Sequence, residues 1–239
     1  MKLDLLVLAA HPDDAELGCG GTIAKHVSEG YKVGIVDFTR GELGTRGTAE
    51  TRSAEAAEAA RIQGVAVRDN LGFRDGFFVN DEAHQIKVIQ AIRKFQPQIV
   101  LANAITDRHT DHGKAAALAA DSCFLAGLAK IETRDENGKP QQPWRPSAVY
   151  HYIQSQLIQP DIIVDVSAFW DIKMKAICAF KTQFHDPGSS EPETYISKPG
   201  FLKMVEGRAI EFGHAIGVEY GEGYTVRRFP GVRSLFDLI

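Results

Sequence analysis

Residues 10–22, AHPDDAELGCGGT, limit what this chain can be more than any other stretch. Seven mostly apolar residues, Leu3 to Ala9, run into it, and a helical pattern from Thr22 to Glu29 leaves it. A nearly continuous apolar run of this kind reads as a strand buried on both faces of a parallel sheet. The corner between strand and helix carries His11, Asp13, Asp14 and Glu16, four groups able to hold a metal or move a proton. Open α/β sheets place their ligands at such corners. A second polar cluster, DRHTDHG at 107–113, follows another apolar run, QIVLA at 98–102, and supplies the other half of a site. Two plainer readings compete. Asp13 and Asp14 suit a helix cap, where carboxylates meet free N–H groups. Gly18 to Gly21 suit a phosphate loop by composition, although adjacent carboxylates repel phosphate and the spacing matches neither standard glycine-rich motif.

Around these clusters, strand and helix patterns alternate. Strands are predicted over 3–9, 31–38, 65–68, 98–102, 149–155 and 162–166. Helices are predicted over 22–29, 50–63, 83–95, 113–127, 168–181 and 201–216. The expected fold class is α/β: one Rossmann-like domain spanning 1–239, with a mostly parallel sheet flanked by helices. The loop TRGELGTRGTAETR at 39–52 is long for such a unit, which points to function. Residues 69–81 read as loop, 131–146 as a mobile surface excursion, and 149–155 as an exposed or edge strand. The tail from Glu219 onward reads as irregular and is expected to pack on a neighbouring subunit.

Composition narrows the class of partner. A net charge of −4 over 239 residues gives no global pull toward nucleic acid or an anionic membrane surface. No apolar run approaches the ~20 residues that span a bilayer, and no targeting segment is expected because Asp4 breaks the first run. Cys19, Cys123 and Cys178 are widely spaced, which fits a reducing cytoplasm rather than a disulfide framework.

The chemistry of the two clusters suits a metal. Catalytic zinc takes three protein ligands and leaves one position open. The candidates are His11, Asp14, His109 and His112, with Asp13 and Asp111 beside them. Asp14 would serve as the carboxylate ligand. Asp13 would then be free to take a proton from a water that the metal acidifies. His109, as an imidazolium held by Asp111, could donate to an oxyanion or a leaving amine. Two histidines favour zinc or another divalent transition metal over magnesium. Glu16 reads as a supporting or capping group. Arg46, Arg52 and Arg108 border the site and suit a substrate carboxylate, or plain pairing with Glu50 or Glu55.

These residues carry a resemblance. AHPDDAELGCGGT with HTDHG downstream resembles the PIG-L/LmbE-like zinc N-deacetylases of amino sugars. TRGELGTRGTAETR, DNLGFRDGFF, ETYISKPGFL and GVEYGEGY are similar to the bacillithiol-biosynthesis deacetylases within that family, over almost the whole chain. The resemblance implies one Zn2+ per subunit on His11, Asp14 and His112, with Asp13 as general base. It implies transition-state roles for His109, Arg52 and Tyr195, and an orienting role for Asp111. Its substrate, N-acetylglucosaminyl malate, would account for the arginines, with Arg108 the candidate for the malate carboxylates. It implies a homo-oligomer, hexamers being common in the family. Residues 133–146 are long for the family, and Arg74 stands where Pro is expected.

Three rivals follow from the same residues: a related thiol-conjugate amidase or other amino-sugar deacetylase, a nucleotide-dependent oxidoreductase using Gly18 to Gly21, and a non-catalytic sugar-binding module with a structural metal.

Overall fold

The computed structural model describes residues 1–184 and 188–238. Seven strands form one sheet in the order β3-β2-β1-β4-β5-β7-β6. They are β1 (Leu5–Ala9), β2 (Val33–Thr39), β3 (Val67–Phe73), β4 (Ile99–Ala102), β5 (Ala148–Tyr152), β6 (Ile162–Asp165) and β7 (Gly221–Val226). Strands β3 to β5 of that order pair in parallel, and β7 runs antiparallel to both β5 and β6. The α/β, mostly parallel expectation therefore holds. The order 3-2-1-4 places a topological switch between β1 and β4, where the chain winds first one way and then the other. A crevice opens at the carboxyl ends of two such strands.

The core explains why β1 reads as continuous apolar sequence. Leu6 and Leu8 enter one layer, built with Val88, Ile89 and Ile92 of α3 (Glu82–Phe95) and Leu118 of α4 (Thr110–Leu125). Leu5, Val7 and Ala9 enter the other, against Ala15, Cys19 and Ile23 of α1 (Asp14–Ser28). A third apolar cluster joins α2 (Ala49–Gln63), α5 (Trp170–Cys178) and the start of α6 (Phe201–Ile216). Local signals set several ends. Thr48 and Thr51 form a reciprocal cap on α2, and Gly64 closes it at φ 71°. Asp81 caps α3 through the His84 N–H.

Several expectations need correction. The first helix begins at Asp14, eight residues before Thr22, with a break at Cys19 (φ −145°, ψ 24°). Glycines in that segment argued against helix. The tertiary packing requires them: a Cβ at Gly18 would run into the Tyr152 ring, and one at Gly21 would lie 2.7 Å from Val166 Cβ. The break frees two N–H groups, and the Glu222 carboxylate accepts both, from Gly21 at 2.9 Å and Thr22 at 2.8 Å. That donor pair is therefore occupied by the protein's own anion, which removes the phosphate-loop reading.

Strand β3 runs on to Phe73, through residues read as loop, because it pairs with β2 as far as Thr39. Strand β5 is internal, not an edge, and β6 is the edge strand instead. Both changes have one cause: the start of the supposed tail is β7, which inserts between them. The stretch at 131–146 is tied down. Arg93 donates to the carbonyls of Ala126, Leu128 and Ile131 and to Thr133 Oγ1, and Trp144 Nε1 donates to Pro97 O.

Beneath the crevice lies a buried charge cluster. Arg68 of β3 reaches Glu16 Oε1 at 2.6 Å and both oxygens of Asp37 at 2.8 and 3.1 Å. Glu16 thus braces α1 against the sheet, as a supporting group and not a cap. Burial pushes its carboxyl pKa up despite the Arg68 charge. Removing one partner of a buried ion cluster costs about 3–5 kcal/mol, because the remaining charges lose their compensation. Arg68→Ala is expected to lower unfolding free energy by about that amount in urea titration, and an unchanged midpoint would show that the cluster is not structural.

Candidate metal centre and pocket

The corner after β1 is built tightly. Ala10 N donates to Asn103 Oδ1 at 2.8 Å, and His11 N donates to Asp14 Oδ2 at 2.9 Å. Asp13 is held at φ 112°, ψ −25°, a left-handed conformation rare outside glycine. Such strain, of order 1–3 kcal/mol, persists where surroundings dictate it and gathers at functional sites. Here it sets the Asp13 carboxylate against Arg52, whose Nη2 donates to Asp13 Oδ2 at 3.0 Å and also to Pro12 O.

The parallel register of β1 with β4, Leu5 on Ile99 through Leu8 on Ala102, carries the second cluster to the first. His11, His109 and His112 present ring nitrogens within 4.8 Å of one another. Asp14 lies between two of them, with Oδ2 3.4 Å from His11 Nδ1 and Oδ1 3.1 Å from His112 Nε2. The outer nitrogen of each of these two histidines meets a carboxylate. His11 Nε2 is 2.9 Å from Asp75 and 3.3 Å from Asp111, and His112 Nδ1 is 2.5 Å from Asp107. A carboxylate behind an imidazole fixes its ring and tautomer, which is how metal-binding histidines are held. Asp14 is held in turn by Asn103 Nδ2 at 3.0 Å and Gln154 Nε2 at 2.8 Å. Two braced imidazoles and one braced carboxylate, nearly fully buried and facing one point, suit a divalent transition metal.

The electrostatics match. Burial works against charge on His11 and His112, but the surrounding carboxylates outweigh it. Asp111, Asp14 and Asp75 raise His11 well above its ordinary value, and Asp14 and Asp107 bring His112 to about 9. Without a metal the site therefore carries protons where it would carry a cation. Asp14 is held well below the carboxylate range by the two histidines, against the burial that opposes it. Asp13 goes the other way. Burial, and then the neighbouring Asp14 charge, outweigh Arg52 and push it up to about 7. Two adjacent carboxylates thus have opposite preferences, one for charge and one for a transferable proton.

Other expected roles shift once contacts are seen. The Asp111 side chain does not hold His109. It accepts from Gly76 N at 2.8 Å and Lys114 at 3.0 Å, and faces His11. His109 Nδ1 instead accepts from the Asp111 backbone N–H at 3.3 Å, leaving Nε2–H as the donor. Burial and the nearby His11 and His112 charges lower the His109 pKa, so it sits as a neutral imidazole rather than the expected imidazolium. Arg52 lines the pocket but is buried, and its guanidinium is bonded to Asp13 and to the carbonyls of Pro12 and Gly41. Arg46 is buried too, but pairs with Glu191 and Ser189, not with Glu50 or Glu55. Arg108 lines the pocket with its guanidinium 4.2 Å from the Tyr195 ring centroid, so these two meet at the mouth.

Sequence reasoning missed Asp75, Asn103 and Gln154, and did not assign Asp107 a role. Asp107 opens the second cluster and was visible as part of it. Asp75 lay in a segment read as loop. It also ties the long 39–48 loop to the centre, accepting from Leu43 N at 3.0 Å while its own N–H donates to Glu42 at 2.8 Å.

Residues 6–123, which contain both histidine clusters, match the model of the PIG-L family, GlcNAc-PI de-N-acetylase. A solved structure described as a conserved protein from Thermus thermophilus is 37% identical, covers 96% of this chain and 97% of its own, and superposes with a TM-score of 0.85. The chain belongs to the PIG-L family. Among relatives, diacetylchitobiose deacetylase of Thermococcus kodakarensis is 28% identical over 95% of this chain and 84% of its own length. The 4-oxalmesaconate hydratase of Pseudomonas putida is 28% identical over 75% of this chain and 74% of its own. The relatives of this chain accordingly carry the names of more than one reaction.

Asp75→Ala and Asp107→Ala are each expected to weaken metal binding about 10- to 100-fold, read by competition with a chromophoric chelator. Wild-type affinity in either variant would remove that carboxylate from the support of its histidine.

Proposed function

We propose that this PIG-L protein is a metal-dependent N-deacetylase of amino-sugar conjugates, with N-acetylglucosaminyl malate as its substrate. The observation that carries the reading is Asp13: a buried carboxylate with its pKa raised to about 7, clamped by Arg52, one residue from Asp14, which lies between His11 and His112. His11, Asp14 and His112 would hold zinc or another divalent transition metal. When bound, such a cation acidifies a water and polarises the acyl carbonyl.

The chain's own groups then divide the work. Asp13 takes a proton from the attacking water, and Arg52 keeps its carboxylate aimed. The His109 Nε2–H, held in that tautomer by the Asp111 backbone, donates to the acyl oxygen as charge develops there. Asp13 returns the proton to the departing nitrogen, so acetate and a free amine result. Asp111 acts behind His11. Arg108 and Tyr195 stand at the mouth, where a guanidinium fork suits malate carboxylates and an aromatic face suits a sugar ring.

The malate assignment rests on the sequence resemblance and on Arg108. The hydratase relative favours a second reading, addition of water to an unsaturated dicarboxylate, which the same base and cation could serve. A cytoplasmic homo-oligomer remains our expectation. The exposed apolar residues Phe229, Leu235 and Phe236, which a second copy could cover, support the oligomer.

Asp13→Asn is expected to lower amine release by about 10²- to 10⁴-fold, the range for loss of a general base, with metal content unchanged. His112→Ala is expected to lose the metal, and a stoichiometric metal content would count against it as a ligand. Amine release from N-acetylglucosaminides with and without O-linked malate should favour the malate conjugate and stop on chelation. Equal rates for both would sink the malate assignment. Hydration of 4-oxalmesaconate without amine release would establish the second reading.

A further inference from the structure

The pocket of about 370 Å³ that opens on the metal centre does not end there. Its outer rim is exposed, with Leu43, Gly44, Thr45, Arg108 and the half-exposed Tyr195. Its inner part is different. Leu17, one helical turn beyond Asp13, begins a wall that continues through Ile153, Met204, Val205, Ala209 and Phe212. Ile153, Ala209 and Phe212 are almost fully buried.

The polar side chains in this inner part are already bonded to protein. Lys173 and Glu222 pair at 2.6 Å, and Glu222 also caps the broken helix through Gly21 and Thr22. Gln154 is committed to Asn103 and Asp14, and Arg208 donates to the carbonyls of Gln154 and Ser155. With much of their bonding capacity directed into the protein, these groups leave the apolar wall as the larger surface a substrate group would meet. A hydrocarbon chain placed there would gain by burial.

The centre fixes which end of a substrate enters. The acyl carbon must meet Asp13 and the metal-binding residues, and the sugar with its charged substituent belongs at the Arg108 rim. The acyl group then points inward. Acetyl has one methyl to offer to a chamber whose wall includes six apolar side chains.

We propose that this inner chamber is a subsite for linear aliphatic N-acyl groups longer than acetyl, so that the enzyme hydrolyses N-butanoyl and N-hexanoyl amino sugars as well. The inference rests on the amide-hydrolase reading above and extends its substrate range. The reaction is balanced as before. Water oxygen bonds to the acyl carbon, the C–N bond breaks, the fatty acid leaves as its carboxylate and the amine takes the proton.

Two measurements on the metal-loaded protein decide it. The first is amine release from N-acetyl-, N-butanoyl- and N-hexanoylglucosamine. KM is expected to fall by up to about fourfold per methylene, the factor that burying about 0.8 kcal/mol of CH2 corresponds to. Ala209→Leu and Val205→Phe, which fill the chamber, are expected to cut the hexanoyl-to-acetyl ratio of kcat/KM at least about tenfold, roughly two methylenes of lost burial. A ratio that the filling variants leave unchanged, or turnover confined to acetyl, would overturn the proposal. The second is calorimetric binding of hexanoate against acetate, which needs no turnover. Preference for hexanoate with no amide cleaved would support the chamber and reject the hydrolase reading alone. Equal binding of the two acids would overturn the chamber.

Discussion

The parallel pairing of β1 with β4 is the constraint on which the site depends. Neither cluster is a site alone. His11 and Asp14 leave one strand and His109 and His112 follow the other, nearly a hundred positions apart in the chain. The register Leu8 on Ala102 sets the two ends level. Because the strand order reverses there, no helix crosses over the gap, and the crevice stays open for a ligand. The apolar residues of the two strands, buried on both sides, hold this alignment against slippage.

Once the clusters meet, the low local polarity makes their ionisation interdependent. Burial alone would discharge every one of these groups. Pairing keeps Asp14 and Asp111 charged, keeps His11 and His112 protonated when no cation is bound, and leaves Asp13 raised and His109 neutral. The same carboxylates could accommodate a divalent cation in place of the imidazolium charges. The opposite ionisation preferences of Asp13 and Asp14 are therefore a property of the whole cluster. Burial and the Asp14 charge raise Asp13 against the opposing pull of Arg52, while the two histidines hold Asp14 down.

The support extends outward by layers that couple the site to its loops. Asp75 joins His11 to the 39–48 loop, and Asn103 joins the end of β4 to both Ala10 and Asp14. The break in α1 brings Glu222 of β7 under the same helix, while Lys173 of α5 neutralises it. The inner chamber exists because β7 and α6 close this side. Gly221 and Gly223 let Phe212 lie flat against the strand, where a Cβ at Gly223 would come within 2.7 Å of its ring.

Much of this was legible in the order of residues along the chain. Apolar runs that end in His and Asp announced an α/β sheet with a two-cluster metal site, and AHPDDAELGCGGT with HTDHG carried the family. What periodicity could not read was whatever depends on a distant neighbour. GEGYTV is a strand only because β5 and β6 flank it, and its glycines and single Glu gave a local reading of tail. Gly18 to Gly21 sit in a helix only because Tyr152 and Val166 need their empty space. Asp111 serves His11 and not its sequence neighbour His109, because the Gly76 loop lies on that side. Residue types and their spacing along one strand end thus determined which chemistry was possible. Tertiary structure alone decided which atom faces which, since hydrogen-bond partners, burial and the charges they impose are set by packing between segments far apart in the chain.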